Sequence, residues 1–265
     1  MAPTYIEAQV EGLGNILRVD APFDEALIAL QDKGVRHPTS TYELVDSRLQ
    51  FPKSHSLNDN GSYNKEGFLY AKSQPGLLVL NSPLLDIKLA RVATQFNREG
   101  RYFSTENTEL YGQYNKIAKD DENKAPEERE VLELPSRRPF PISSRENEDI
   151  FRALFKNKGQ QYLEFIRLDK IMVYPVASDT IDSQSGTLLT QLWLRGLGSS
   201  FVVGDSGSLG YDLVRGVSVS GEASVPKIED QKIKTYTPNQ LSTALQNLGI
   251  SSLEKQILEE LNKTN

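Results

Sequence analysis

Residues 188–219 read LLTQLWLRGLGSSFVVGDSGSLGYDLVRGVSV, and the fold turns on how this stretch is divided. Leu188 to Leu194, Phe201 to Val203 and Leu213 to Val219 are apolar runs carrying β-branched or aromatic residues, the composition of strands. Short turn-like links separate them, so an antiparallel sheet is the economical reading. Gly204, Asp205, Gly207 and Gly210 are turn formers, which makes GDSGSLGYD a connection between two strands. Leu192 and Leu194 alternate with Trp193 and Arg195, so the leucines share one face of their strand and Trp193 points the other way.

Working outward, Tyr162 to Val176 has the same apolar texture and extends the sheet. Before it, Ser143 and Glu146 stand at capping-box spacing, and Ile150, Phe151, Leu154 and Phe155 give the apolar face of a helix ending near Gly159. VLELPSRRPFPIS, with Pro135, Pro139 and Pro141, reads as an extended connector outside any central strand. Downstream, Thr237 and Pro238 open a helix carrying Leu241, Ala244, Leu245 and Leu248. Ser251 and Glu254 open another, with Leu253, Ile257, Leu258 and Leu261.

The N-terminal half carries mainly helical signals. Tyr5 to Val10 and Ile16 to Val19 form a strand pair around EGLGN, after which Pro22 starts a helix with Phe23, Ala26, Leu27 and Leu30, stopped by Gly34. Ser40 and Glu43 form a capping box for a second helix with Leu44, Val45 and Leu49. The polar segment from Phe51 to Gly67 reads as an exposed loop with a turn at Asn60-Gly61, and short strands follow at Phe68 to Tyr70 and Leu77 to Leu80. Ser82 and Pro83 then announce the strongest helix, with Leu85, Leu89, Val92 and Phe96 running to Gly100. A further helix carries Leu110, Tyr114 and Ile117. TSTYEL and TENTEL recur 66 residues apart, each behind a proline-started helix, which suggests two copies of a helical hairpin.

The expected class is α+β, with helical hairpins in the N-terminal half, an antiparallel sheet in the C-terminal half and two short C-terminal helices. The corresponding regions are 1–125, 126–225 and 226–265, or all one compact domain.

Composition narrows the chemistry. The 265 residues carry a net charge of -6, which opposes nucleic-acid phosphates unless a local basic strip outweighs it. There is no cysteine, which removes disulfides and thiolate chemistry, and only His37 and His55 supply imidazoles. No metal or cofactor signature is present. Neither a signal peptide nor a membrane span is written in the sequence, so a soluble, cytoplasmic protein is expected.

GDSGS at 204–208 resembles the segment around the nucleophile of trypsin-like serine proteases, and the following LVRGVSVSG resembles that family's next strand. The resemblance covers under twenty residues and implies a hydrolase with Ser206 as nucleophile, His55 as base and Asp86 as orienting acid. His55, however, sits in a polar loop and Asp86 on an amphipathic helix, settings unlike that family's. Paired Arg137 and Arg138 could clamp a phosphate or carboxylate, and Trp193 beside Arg195 could stack a ligand ring. Arg137, Arg138, Arg145 and Arg152, near Phe140 and Phe151, make a local basic strip that could meet nucleic acid. Weighed together, many apolar stripes and few reactive side chains point to a non-enzymatic interaction or scaffold protein that meets a protein partner or a second copy of itself.

Overall fold

The computed structural model describes residues 4–35, 37–55, 58, 61–107 and 109–196, together with the backbone of two later strands at 203–206 and 213–218. By contacts the chain divides into Met1–Gly221 and Glu222–Asn265. The second unit, and with it both expected C-terminal helices, lies outside the described residues.

An N-terminal hairpin opens the first unit, β1 (Thr4–Val10) against β2 (Gly14–Asp20), in antiparallel register from Thr4↔Asp20 to Val10↔Gly14. Helix α1 (Phe23–Asp32) follows. Gly34 at φ 72° ends it, letting the Val35 N–H donate to Leu30 O at 3.0 Å. After the short β3 (His37–Pro38), helix α2 (Thr41–Leu49) starts on a capping box: Ser40 Oγ accepts from Glu43 N and Glu43 Oε2 accepts from Ser40 N.

The segment read as an exposed loop is in large part a strand. β4 runs Ser62–Tyr70, and all but Lys65 are buried. Its polar letters hid it, because Ser62, Asn64 and Glu66 face inward rather than to water. β5 (Leu77–Val79) pairs with β4 on one side and with β7 (Val131–Glu133) on the other. The proline-rich connector therefore contributes a strand before its first proline. It gives a second one, β8 (Phe140–Pro141), at the far sheet edge where a missing amide costs no ladder bond.

Ser82 caps only a single turn, Pro83–Leu85. The expected strong helix begins later, as α3 (Ile87–Arg98), with Asp86 Oδ1 accepting from Lys88 N and Leu89 N. β6 (Ser104–Thr105) and α4 (Glu109–Asp120) come next. Helix α5 (Glu148–Phe155) lacks the capping box expected from Ser143 and Glu146. Ser143 Oγ instead accepts from Ile171 N, and Asn147 stands at the cap. The supposed long strand from Tyr162 is helix α6 (Gly159–Ile166), closed by Arg167 in the left-handed region, and only Met172–Tyr174 is a strand, β9. Its aromatic letters suited a strand, yet stacked Phe155, Tyr162 and Phe165 rings use them at helical spacing. A short helix α7 (Ser178–Asp182) precedes β10 (Thr187–Leu194).

The last described strands are β11 (Val203–Ser206) and β12 (Leu213–Ser218). They do not form a hairpin. The sheet order is β1-β2-β12-β4-β10-β11-β9-β8, with β3 on β12, β6 on β10 and the β5–β7 pair branching from β4. Most pairs are antiparallel, while β11–β9 and β12–β4 are parallel. The class is α+β, but the sheet draws on both halves of the chain, which corrects the expected division into a helical half and a sheet half. The cause is long-range pairing that local periodicity does not encode: β12 slots between β2 and β4.

The helical-hairpin reading fails for a related reason. Helices α1 and α3 pack together on one face, with Phe23, Leu27, Leu30, Ala90 and Ala93 against Leu17, Val19, Tyr63 and Leu189. Helix α2 lies on the other face, where Leu44 and Val45 join Phe68, Tyr70, Leu188, Leu192, Leu194, Leu154, Phe155 and Tyr162. Each supposed hairpin thus sends its two helices to different clusters, because alternate strand residues give the sheet two apolar faces to cover. Helix α4 covers a third cluster of Leu69, Leu77, Val79 and Val131 with Tyr111.

Candidate functional site

The residues singled out for catalysis are not gathered. Ser206 lies on β11 opposite Gln191 of β10, so the first residues of GDSGS extend a strand and the turn former Gly204 pairs with Trp193. The side chain of Ser206 and residues 207–212 lie outside the described residues. The His55 ring stacks on Phe51, 4.2 Å between centroids, and Phe51 packs on Val10 and Ile16 of the β1–β2 hairpin. Strands β12, β4 and β10 separate β2 from β11, a spacing on the order of 19 Å. Asp86 is exposed and committed to capping α3.

The arginines are largely spent on the fold. Arg137 donates from Nε to Gln74 O (2.8 Å), from Nη2 to Ala71 O (2.6 Å) and Gln74 O, and from Nη1 to Asp182 Oδ1 (3.2 Å). It ties the loop after β4 to α7, which leaves no bidentate fork beside the exposed Arg138 for an anion. Arg152 forks onto Glu127 at 2.9 and 3.0 Å, while Arg145 is exposed. Phe140 is buried and Phe151 stacks on Phe155. The basic strip is therefore interrupted twice by internal acceptors. Trp193 packs edge-on to Tyr63 at 4.8 Å and covers Gly61, whose absent Cβ would stand 2.4 Å from the indole. Arg195 is exposed at the strand's end.

Two features were not foreseen. The first is a buried polar cluster where the β10–β4 register slips between Gln191 and Trp193. Three β4 residues there face one of β10, so β4 carbonyls lose their ladder partners. Gln191 Nε2 replaces them, donating to Glu66 O at 2.8 Å and to Asn64 O. The Lys65 N–H donates to Thr39 O, and Lys65 O accepts from Ser82 N, both at 2.9 Å. Glu66 caps the start of α2: its carboxylate oxygens accept from Thr41 N at 3.0 Å and its Oε2 also from Thr41 Oγ1 at 3.2 Å. Asn64 Nδ2 donates to Thr41 Oγ1 at 2.9 Å. Burial outweighs these bonds and pushes the Glu66 carboxyl up to about 7. Gln191 inside LLTQLWL was the available sequence signal, since a polar residue within an apolar strand needs a partner.

The second is an open groove of about 680 Å³. Its floor is β7, one wall is the end of α4 with Glu122, and the other is Arg145–Ile150 at the start of α5. Arg129 braces it from inside, donating to Lys124 O, Glu122 O and Asp149 Oδ2. Glu122, Glu133, Glu146, Glu148 and Asp149 outnumber Lys119, Arg129 and Arg145 around the lining. Among the described residues no group of three or more His, Asp or Glu side chains could hold a metal ion. Among them, too, no helix is long and apolar enough to cross a membrane.

The mixed sheet, with helices on both faces and the strand at 213–218 laid beside the N-terminal hairpin, is similar to a solved C-type lectin fold. The particular likeness is to a solved structure described as "Accommodation of massive sequence variation in Nanoarchaeota by the C-type lectin fold". It has a TM-score of 0.51 and 13% identity, over 82% of this chain and 97% of that one. At that identity the likeness concerns the fold alone. No family model and no curated protein matches the chain.

Proposed function

We propose that this chain is a non-enzymatic binding protein that uses the groove over β7 to engage a protein partner. One observation carries this reading: Arg137, Arg152, Asp86 and Trp193, the described side chains with the most chemical promise, are used to hold the fold, whereas the groove is left open with charged walls. The solved structure it resembles is described in terms of a fold that accommodates massive sequence variation, and a frame that tolerates changes on its surface suits recognition. A cysteine-free chain fits a cytoplasmic partner.

The test is site-directed photocrosslinking in the source cells. A benzophenone side chain at position 146, on the groove wall, should give one discrete protein adduct that excess unmodified protein competes away. The same group at position 88 on α3 should not. Equal adducts from both positions would remove the groove from the account. Labelling by a fluorophosphonate probe that disappears in Ser206→Ala would replace this reading with the hydrolase.

A further inference from the structure

The two end strands of the sheet are protected to different degrees. β8, at one end of the strand order, is two residues long and carries Pro141, a margin that resists pairing with another chain. β1, at the other end, runs for seven residues and pairs with β2 without a register slip. It holds no proline, lysine or arginine, and its one charge is Glu7. Among the described residues β2 is its one partner strand. The margin is open to solvent, with Tyr5 41% exposed and Glu7 exposed as well.

The hairpin turn sets which backbone groups face outward. Val10 O accepts from Leu13 N at 3.2 Å across the turn, so the backbone groups of Val10 point toward β2. The N–H and C=O of one residue in an antiparallel strand share a side, and the side alternates along the chain. Those of Tyr5, Glu7 and Gln9 therefore point to the outer edge. Just past the strand, Glu11 N donates to Gln50 Oε1 at 2.8 Å and Glu11 O accepts from Gln50 Nε2 at 3.0 Å. A side-chain amide there stands in for a neighbouring strand and closes that end of the edge.

An extended backbone can add to such an edge, and the side chains decide whose. A second copy can do so antiparallel about a two-fold axis. Centring the pair on Glu7 sets two carboxylates opposite each other, which is unfavourable. Centring it on Ala8 sets Tyr5 against Glu11, whose backbone Gln50 already holds. Centring it on Ile6 sets Tyr5 of each copy against Glu7 of the other, with both backbone bonds exchanged at each pair. Lys33, at the end of α1, has its Nζ 5.2 Å over the Tyr5 ring, so this register brings an ammonium to each facing carboxylate. We infer that β1 is a self-association edge: two copies of the chain join antiparallel through β1, centred on Ile6, with Lys33 of each facing Glu7 of the other. The net charge of -6 opposes this at long range, but screening at physiological salt confines that repulsion to about 8 Å and leaves contact pairs to decide. None of these residues lines the groove, so the inference goes beyond the binding reading above.

Sedimentation of the full chain over about 0.01–0.5 mM should show a reversible monomer–dimer equilibrium, weak because so short a seam buries little surface. Glu7→Pro removes an outward N–H and no bond to β2. It should weaken the dimer at least about tenfold, since the two-fold axis repeats the loss, with the fold checked by unchanged circular dichroism. Glu7→Lys and Lys33→Glu should each weaken it about threefold or more, and the two together should restore it with the signs exchanged. A monomer throughout the range overturns the proposal. A dimer that Glu7→Pro leaves intact puts the contact elsewhere and does the same. A double swap no tighter than the single variants rules out the register centred on Ile6.

Discussion

The bulge in β4 and the groove beside β7 are both places where the regular packing of the sheet stops, and the protein treats them in opposite ways. At the bulge the break is buried, and the displaced β4 backbone groups are answered from inside: Gln191 serves the Asn64 and Glu66 carbonyls, while Thr39 and Ser82 serve Lys65. Beside β7 the exposed Glu133 and the charged walls of the groove are left open to solvent. Burial makes an unmet polar group costly, whereas solvent makes it cheap and keeps it available. The contrast separates polar groups that stabilise the chain from those that stay open to solvent.

The largest effect should come from breaking the bulge. Gln191→Leu leaves two buried carbonyls without their donor, which costs about 4 kcal/mol of stability. A urea midpoint unchanged from wild type would show that the slip is tolerated without help. Glu66→Gln comes next and concerns pH. The folded carboxyl titrates near 7, above its ordinary value of 4.5, so its stabilising share is complete below about pH 4.5 and is lost as the pH rises through 7. Between pH 5 and 8 the wild type should lose about 3 kcal/mol more than the glutamine variant. Parallel stability curves for the two proteins would contradict this.

Arg137→Ala sharpens the comparison from the side of a clamp that the sequence made look functional. Removing its bonds to Ala71 O, Gln74 O and Asp182 should cost about 2 kcal/mol in thermal unfolding. A ligand-binding arginine would show no such loss. The smallest effect belongs to the groove: Glu148→Lys alone should cost no more than about 1 kcal/mol, because the exposed Glu148 contributes only its charge, to the first turn of α5 and toward Arg152.

How far the sequence foretold this depends on the range of the forces involved. The Ser40–Glu43 cap, the Gly34 stop and the β1–β2 hairpin were legible because their partners lie within a few residues. Trp193 was placed on the correct face by simple alternation. Asn64 and Glu66 were misread as solvated because the groups that bond them, Thr41 and Gln191, come from elsewhere in the chain. The groove was invisible for the same reason. Its floor, wall and brace come from β7, α5 and Arg129, each unremarkable alone. Arg137 and Arg138 stood out as a pair, yet only the fold could reveal that the first was already occupied.

The position of β12 carries a consequence for how the chain is made. Its register partners Ile16, Leu17 and Val19 emerge from the ribosome nearly two hundred residues before Val214, Gly216 and Val217 do. At a synthesis rate of about 5–20 residues per second, the nascent hairpin waits on the order of ten to forty seconds for its neighbour. During that interval β2 and β4 each expose a sticky margin. Folding should therefore be slow and largely post-translational, and a product cut short before Leu213 is the form most prone to aggregate.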